Sequence, residues 1–159
     1  MRKQTKLVAV LSTAALLAIG ASMTSFAATG WAEEDGTWVY YNRDGERATD
    51  QWKKSGNNWY WLDSNGEMAI DQLIEDGDNY YYVDINGVMA ANQWVAIDNE
   101  DAGQDDEPDH YWYYFQANGK ALKNGDNDKV ALKTVNGKKY AFDDEGKMLF
   151  GWVSADNAE

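Results

Sequence analysis

The sequence predicts an all-β fold, a tandem β-hairpin solenoid of about five to six repeats. Three observations carry that prediction. Glycines recur in a fixed register behind aromatic triplets. Short runs of aromatic and β-branched residues are separated by Asn-Gly and Asp-Gly turn signals. Beyond the first 27 residues, no stretch shows a helical period.

Residues 1–27 read as an export signal. Arg2, Lys3 and Lys6 form a positive start, Leu7 to Gly20 is apolar, and Ser25-Phe26-Ala27 offers small residues where a signal peptidase reads. Cleavage is expected after Ala27, with Ala28 as the alternative. The apolar run is short for a span of ~20 residues, so no membrane span is expected after cleavage. Residues 28–159 are left as the repeat array. With no cysteine, an exported chain has to be held by packing alone. Loss of three N-terminal cations takes the net charge of −13 down by three, to −16. That argues against nucleic acid as a partner, because such binding relies on Lys and Arg neutralising phosphates. It argues equally against an anionic membrane surface.

The repeat is read from the turn glycines Gly45, Gly66, Gly87, Gly119 and Gly146, whose first two spacings are 21 residues. Seven residues before each stand Trp38, Trp59, Tyr80, Trp112 and Lys139. Fourteen before the first three stand Trp31, Trp52 and Leu73, and Trp94 continues that series 21 residues on. Eleven extra residues between Trp94 and Gly119, mostly the acidic stretch 98–109, and six between Gly119 and Gly146 are insertions. A further unit restarts at Gly151-Trp152.

Each unit reads as a hairpin. In the second, Gln51 to Lys54 is a first strand, Ser55 to Asn58 a turn, Trp59 to Asp63 a second strand, and Ser64-Asn65-Gly66 the next turn. A lone hairpin is marginal in water. Stacked hairpins bury aromatics between neighbours, which is the logic of a solenoid.

Side chains alternate across a strand, so each triplet splits into two faces. Positions two and four are Val39/Tyr41, Tyr60/Leu62, Tyr81/Val83, Tyr113/Phe115 and Tyr140/Phe142. Positions one and three are Trp38/Tyr40, Trp59/Trp61, Tyr80/Tyr82, Trp112/Tyr114 and Lys139/Ala141. The fifth unit keeps the first set, loses the second, and has Asp126 where a first-strand Trp is expected. Positions two and four therefore read as structural, Tyr140 included. Positions one and three, with the first-strand Trp, read as carrying a function absent from the fifth unit. Rings meeting between hairpins can cage a quaternary ammonium, at ~0.5–2 kcal/mol per good cation–π contact. They can equally stack on sugar faces, or simply be core.

These residues resemble the choline-binding, or cell-wall-binding, repeat family of Gram-positive bacteria and their phages. Its pattern, Gly-Trp, a turn, a Trp-Tyr-Tyr-like triplet and Asn/Asp-Gly-x-Met, stands here as Gly30-Trp31 with Trp38-Val39-Tyr40. It recurs as Trp59-Tyr60-Trp61 with Asn65-Gly66-Glu67-Met68, and as Tyr80-Tyr81-Tyr82 with Asn86-Gly87-Val88-Met89. Trp112-Tyr113-Tyr114 with Asn118-Gly119, then Asp144-Glu145-Gly146-Lys147-Met148 and Phe150-Gly151-Trp152, complete it over residues 30–153. The resemblance implies a secreted protein docked non-covalently on the cell wall. It implies choline-bearing teichoic acid as partner, with cell-wall polysaccharide as the alternative. By position it implies a box of Trp31 and Trp38 with Trp52 and Trp59, and another of Trp52 and Trp59 with Tyr80. Trp94 with Trp112 offers a further one, and Trp61, Tyr82 and Tyr114 complete the ring-bearing face. Gln51, Gln72 and Gln93 depart from the family's Gly, and Leu73 from its Trp. Related repeats in glucan-polymerising enzymes and clostridial toxins bind carbohydrate, so a carbohydrate-binding adhesin or a surface spacer uses the same fold.

Catalysis is not expected. The repeats consume the chain after the signal, there is no Ser/His/Asp or Cys/His set, and paired carboxylates such as Asp143-Asp144 fall in turns. No cofactor and no metal are expected. The acidic insertion is rich in oxygen ligands for calcium but lacks the EF-hand spacing, so it reads as a solvated loop, with His110 an exposed strand-entry residue.

Overall fold

In a computed structural model the described residues are 29–104, 106–125, 130 and 132–150. The expected signal at 1–27, Asp126 and the unit restarting at Gly151-Trp152 lie outside them. The described residues form strands β1 (Gly30–Glu34), β2 (Thr37–Tyr41), β3 (Gln51–Ser55), β4 (Asn58–Leu62), β5 (Gln72–Asp76) and β6 (Asn79–Val83). They continue with β7 (Gln93–Asp98), β8 (His110–Phe115), β9 (Leu132–Val135), β10 (Lys138–Phe142) and β11 (Met148–Leu149). Each of the first four hairpins is its own two-stranded sheet, and β9, β10 and β11 form a three-stranded one. The expected all-β hairpin repeat is the fold observed. Among the described residues no helix is long and apolar enough to cross a membrane.

The chain divides into two compact units. One holds the residues up to Ile74 with Tyr82–Met89, the other Glu75–Tyr81 with Ala90 onward.

Hairpin loops take the geometry that strand twist demands. Asp35-Gly36 has φ of 52 and 78°, and Asn136-Gly137 of 49 and 79°, as in a type I′ turn, whose two central residues both need positive φ. The turn expected over Ser55 to Asn58 is tighter, since Ser55 and Asn58 pair as the last rung of β3 and β4. In the fourth hairpin the last rung is Asp98 opposite His110. The acidic insertion then forms its loop, pinned by Asn99 Nδ2 donating to Pro108 O at 2.9 Å and to the Tyr111 hydroxyl at 3.3 Å.

The turns after β4, β6 and β10 are built by a carboxylate. Asp63 Oδ1 accepts the N–H of Asn65 and of Glu67, both at 2.9 Å. Asp84 accepts those of Asn86 and Val88, and Asp143 those of Glu145 and Lys147. The expected backbone role of these acidic residues is thus observed. In the turns after β4, β6 and β8, one N–H reaches the hairpin before. Met68 donates to Trp38 O at 2.8 Å, Met89 to Trp59 O at 2.9 Å, and Ala121 to Tyr80 O at 2.8 Å.

The glutamines standing in the family's glycine position have a backbone explanation. Gly30 has φ of 96°, but in the next three hairpins the left-handed residue is the one just before the glutamine: Asp50, Asp71 and Asn92, at 49, 48 and 54°. Asp and Asn tolerate that region better than other non-glycine residues, so Gln51, Gln72 and Gln93 need not adopt it.

The turn glycines carry a second constraint, which is space. A Cβ on Gly87, at φ of +78°, would lie 2.9 Å from Met68 Cε and 3.2 Å from the Ala69 carbonyl oxygen. On Gly36, at the same φ, it would meet nothing within 4 Å. Gly36→Ala should therefore cost ~1 kcal/mol from backbone strain, and Gly87→Ala ~2–4 kcal/mol, because crowding adds to the strain. Urea unfolding of both variants checks this. Equal losses would mean that turn packing contributes nothing.

Candidate aromatic site

Strand register builds the site rung by rung. Trp31 stands opposite Tyr40, Trp52 opposite Trp61 and Trp94 opposite Tyr114. Each pair packs edge to face, with centroids 5.3, 5.2 and 5.2 Å apart. This geometry sets the positive edge of one ring against the negative face of the other. The first-strand Trp also reaches the following hairpin. Trp31 meets Tyr60 at 5.4 Å, and Trp94 meets Tyr140 at 4.8 Å and stacks on Phe142 at 5.9 Å.

At the second of these junctions the rings leave an open cavity of about 240 Å³ lined by Trp94, Trp112, Tyr140 and Met148. The same repeat positions in the first two hairpins are Trp31, Trp38, Tyr60 and Met68. There Trp31, Trp38 and Tyr60 are only 5, 4 and 1% exposed and belong to one core cluster, with Met68 and Val88 packed against it. One set of positions thus makes a closed core at one junction and an open, ring-walled cavity at another.

The other expected site residues are distributed as follows. Trp61 is buried beside the half-buried Trp52. Trp59 is 40% exposed, with Lys54 Nζ 5.8 Å from its ring centroid. Tyr80 is half-buried with Lys123 Nζ 5.9 Å from its centroid, and the Tyr82 hydroxyl donates to Asp71. Tyr114 is half-buried against Trp94, and Trp112 is 42% exposed.

Positions two and four include the most buried side chains: Tyr60, Phe115, Phe142, Leu62, Val39 and Val83. Tyr140, expected to be structural, is half-buried, packs on Trp94 and also forms a cavity wall. The fifth hairpin, having lost its own ring face, still supplies the far side of the fourth hairpin's cavity. Met148 was the sequence signal for this, since it closes the Asp-Glu-Gly-Lys-Met turn in register with Met68.

Charge around the cavity is mostly committed. Lys147 pairs with Glu145 at 2.9 Å and lies 4.6 Å from the Tyr111 ring centroid, and the bond to Glu145 holds its ammonium above the usual lysine range. Tyr111 donates to Glu107, which pushes its phenol up. Burial raises the Asp143 carboxyl, although the N–H groups of Lys147 and Glu145 pull it back down. Burial pushes the phenol of Tyr113, next to Trp112 in β8, up to about 12. Among the described residues no group of three or more His, Cys, Asp or Glu side chains could hold a metal ion.

Tandem hairpins that open a ring-walled cavity where two of them meet define a repeat-built binding module. The sequence profile of the choline-binding repeat matches residues 28–72 and 52–94, and that of a cell wall binding repeat matches 111–121. The choline binding domain of Spr1274 from Streptococcus pneumoniae is 33% identical, over 59% of this chain and 94% of that one, with a TM-score of 0.44. CbpJ from Streptococcus pneumoniae TIGR4 is 27% identical over 80% of this chain, with a TM-score of 0.55. Choline binding protein F from Streptococcus pneumoniae, in the presence of a peptidoglycan analogue, is 25% identical over 82% of this chain, with a TM-score of 0.54. The chain spans 38% and 37% of the length of these last two. No curated protein matches it. The chain belongs to the choline-binding repeat family. Modules of this family bind cell wall, and the proteins carrying them are associated with the cell surface.

The raised phenol of Tyr113 gives the fold an alkaline limit. Its folded pKa lies above the unfolded value of about 10. Its stabilising contribution is therefore complete below about pH 10 and is lost as pH rises through the window from about 10 to about 12. Urea midpoints measured across that window should fall less steeply for Tyr113→Phe than for the unsubstituted protein. Identical slopes would place the alkaline sensitivity elsewhere.

Proposed function

We propose that this chain is a non-catalytic, exported wall-attachment protein that holds choline, carried on teichoic acid, in ring-walled sites between hairpins. The observation that carries this reading is the open cavity of Trp94, Trp112 and Tyr140 with Met148. Its walls are π faces and a thioether. Such walls suit a quaternary ammonium, which brings charge but no N–H that needs an acceptor. Three ring contacts of ~0.5–2 kcal/mol each correspond to a dissociation constant on the order of millimolar. The chain's net charge of −13 favours the approach of cations. In this reading the buried Trp31, Trp38 and Trp61 hold hairpins together, and the exposed Trp59, with Trp52, offers a second and more open ring surface. Residues 1–27 serve export.

The test is a tryptophan-fluorescence titration with choline, with free wall glycans and glucan as parallel arms. Choline should give a saturable change at millimolar concentration. Trp112→Ala should weaken it about tenfold or more with little loss of thermal stability, because the ring is already 42% exposed. Trp31→Ala should act in the opposite sense, costing ~3–5 kcal/mol of stability. A response to glycans but not to choline would replace choline with carbohydrate as the ligand. Equal melting of both variants would undo the division into closed and open ring sets.

A further inference from the structure

Asn-Gly pairs stand at 65–66, 86–87, 118–119, 124–125 and 136–137. The backbone nitrogen of the glycine can attack the asparagine side chain before it, since no glycine side chain shields that nitrogen. The attack needs a glycine N–H that is not already bonded, room for a succinimide ring, and access to water. The pairs differ in all of these.

In the turns after β4, β6 and β8 the glycine N–H is engaged. Gly66 donates to Asp63 O at 3.0 Å, Gly87 to Asp84 O at 2.8 Å and Gly119 to Gln116 O at 2.9 Å. The first two turns are also packed against their surroundings. A Cβ on Gly66 would lie 3.0 Å from Arg47 Cβ, and one on Gly87 would lie 2.9 Å from Met68 Cε. Asn86 is buried, which keeps water from it. Asn118 Oδ1 accepts the Lys120 N–H at 3.0 Å. Asn124 is half-buried, with its own N–H on the Asp143 carbonyl at 2.8 Å.

Asn136-Gly137 is built differently. It is the loop beyond the last rung of β9 and β10, Val135 opposite Lys138. Both residues are exposed, and a Cβ on Gly137 would meet nothing within 4 Å. Among the described residues the Gly137 N–H makes no hydrogen bond. The exposed Lys138 and Lys139 follow it, and their positive charge stabilises the amide anion that attacks.

We propose that Asn136 is a site of spontaneous modification, the one Asn-Gly pair that the fold leaves open to deamidation. The Gly137 nitrogen bonds to Asn136 Cγ, the Cγ–Nδ2 bond breaks, and the Gly137 amide proton leaves with the amide group as ammonia. Water then opens the succinimide at either carbonyl. One opening gives aspartate. The other gives isoaspartate, whose main chain runs through Cβ and Cγ. The products have opposite consequences. Asp35-Gly36 already forms this turn in the first hairpin, at φ of 52 and 78° against 49 and 79° for Asn136-Gly137, so aspartate fits. Isoaspartate adds a main-chain atom to a tight hairpin loop, and the loop sets the register of the strands it joins. The Val135–Lys138 rung is lost first. Because β10 carries Tyr140 and Phe142, whose rings pack on Trp94, the damage reaches the contact with the fourth hairpin.

The experiment is incubation of the folded protein in mildly alkaline buffer, with timed digestion and mass spectrometry that separates aspartate from isoaspartate. Asn136 should convert at least about tenfold faster than any other Asn-Gly pair. The same incubation in urea should bring that ratio down to about one, because the turns then no longer differ. Equal rates in the folded protein, or another pair in the lead, would overturn the proposal. Asn136→Asp should melt with the unsubstituted protein, whereas chains carrying isoaspartate at this position should melt lower. Coincident melting of isoaspartate-bearing and unmodified chains would overturn the consequence drawn for the hairpin.

Discussion

A ring of one hairpin laid edge-on against a ring of the next is the contact on which the chain depends. Trp31 on Tyr60 and Trp94 on Tyr140 are instances of it, at 5.4 and 4.8 Å. Each of the first four hairpins is a separate two-stranded sheet, and a two-stranded hairpin is marginal alone. Cohesion between repeats must then come from side chains and from the N–H groups that Met68, Met89 and Ala121 send to the preceding hairpins. An aromatic pair adds ~0.5–1.5 kcal/mol beyond the area it buries. With no cysteine in the chain, no covalent bond supplements it.

That dependence sets a competition at every junction, because a ring fully used as core has no free face. At the first junction the competition is settled for stability. Trp31, Trp38 and Tyr60 are buried, and Val88, a residue of the third repeat, packs on their cluster. At the Trp94 junction the contact with Tyr140 is kept while Trp112 stays 42% exposed and a cavity opens between them. At these two junctions the cohesive contact is made by the first-strand Trp and the second triplet residue. The first triplet residue is therefore free to be core, as Trp38 is, or rim, as Trp112 is.

The hairpins, their register and the turn carboxylates were legible in the sequence because each follows from a local rule. Glycine marks a left-handed turn, Asp caps it, and rings alternate across a strand. The departures at Gln51, Gln72 and Gln93 were legible as departures, but their resolution in the backbone of Asp50, Asp71 and Asn92 was not. Which ring sets close was also hidden. Closure of the Trp31 set involves Val88, far along the chain, and no repeat pattern encodes a contact at that distance. The second surface of Tyr140 was hidden for a related reason: its cohesive contact was legible from its own hairpin, whereas the cavity wall it also forms belongs to the hairpin before.

Chain acidity and ring chemistry meet in the lysines. Asp63, Asp84 and Asp143 are occupied with backbone N–H groups, so part of the negative charge is a by-product of repeated turns and not a binding site. It still creates a field that favours cations. Among the described residues, four ammonium groups lie over aromatic rings: Lys53 on Tyr40, Lys54 on Trp59, Lys123 on Tyr80 and Lys147 on Tyr111. The rings therefore attract cations wherever a tethered one can reach them. Among the described residues, no such ammonium covers the rings of Trp94, Trp112 and Tyr140. In the proposed reading an external cation would enter at that junction, where the fold leaves an open cavity beside these rings.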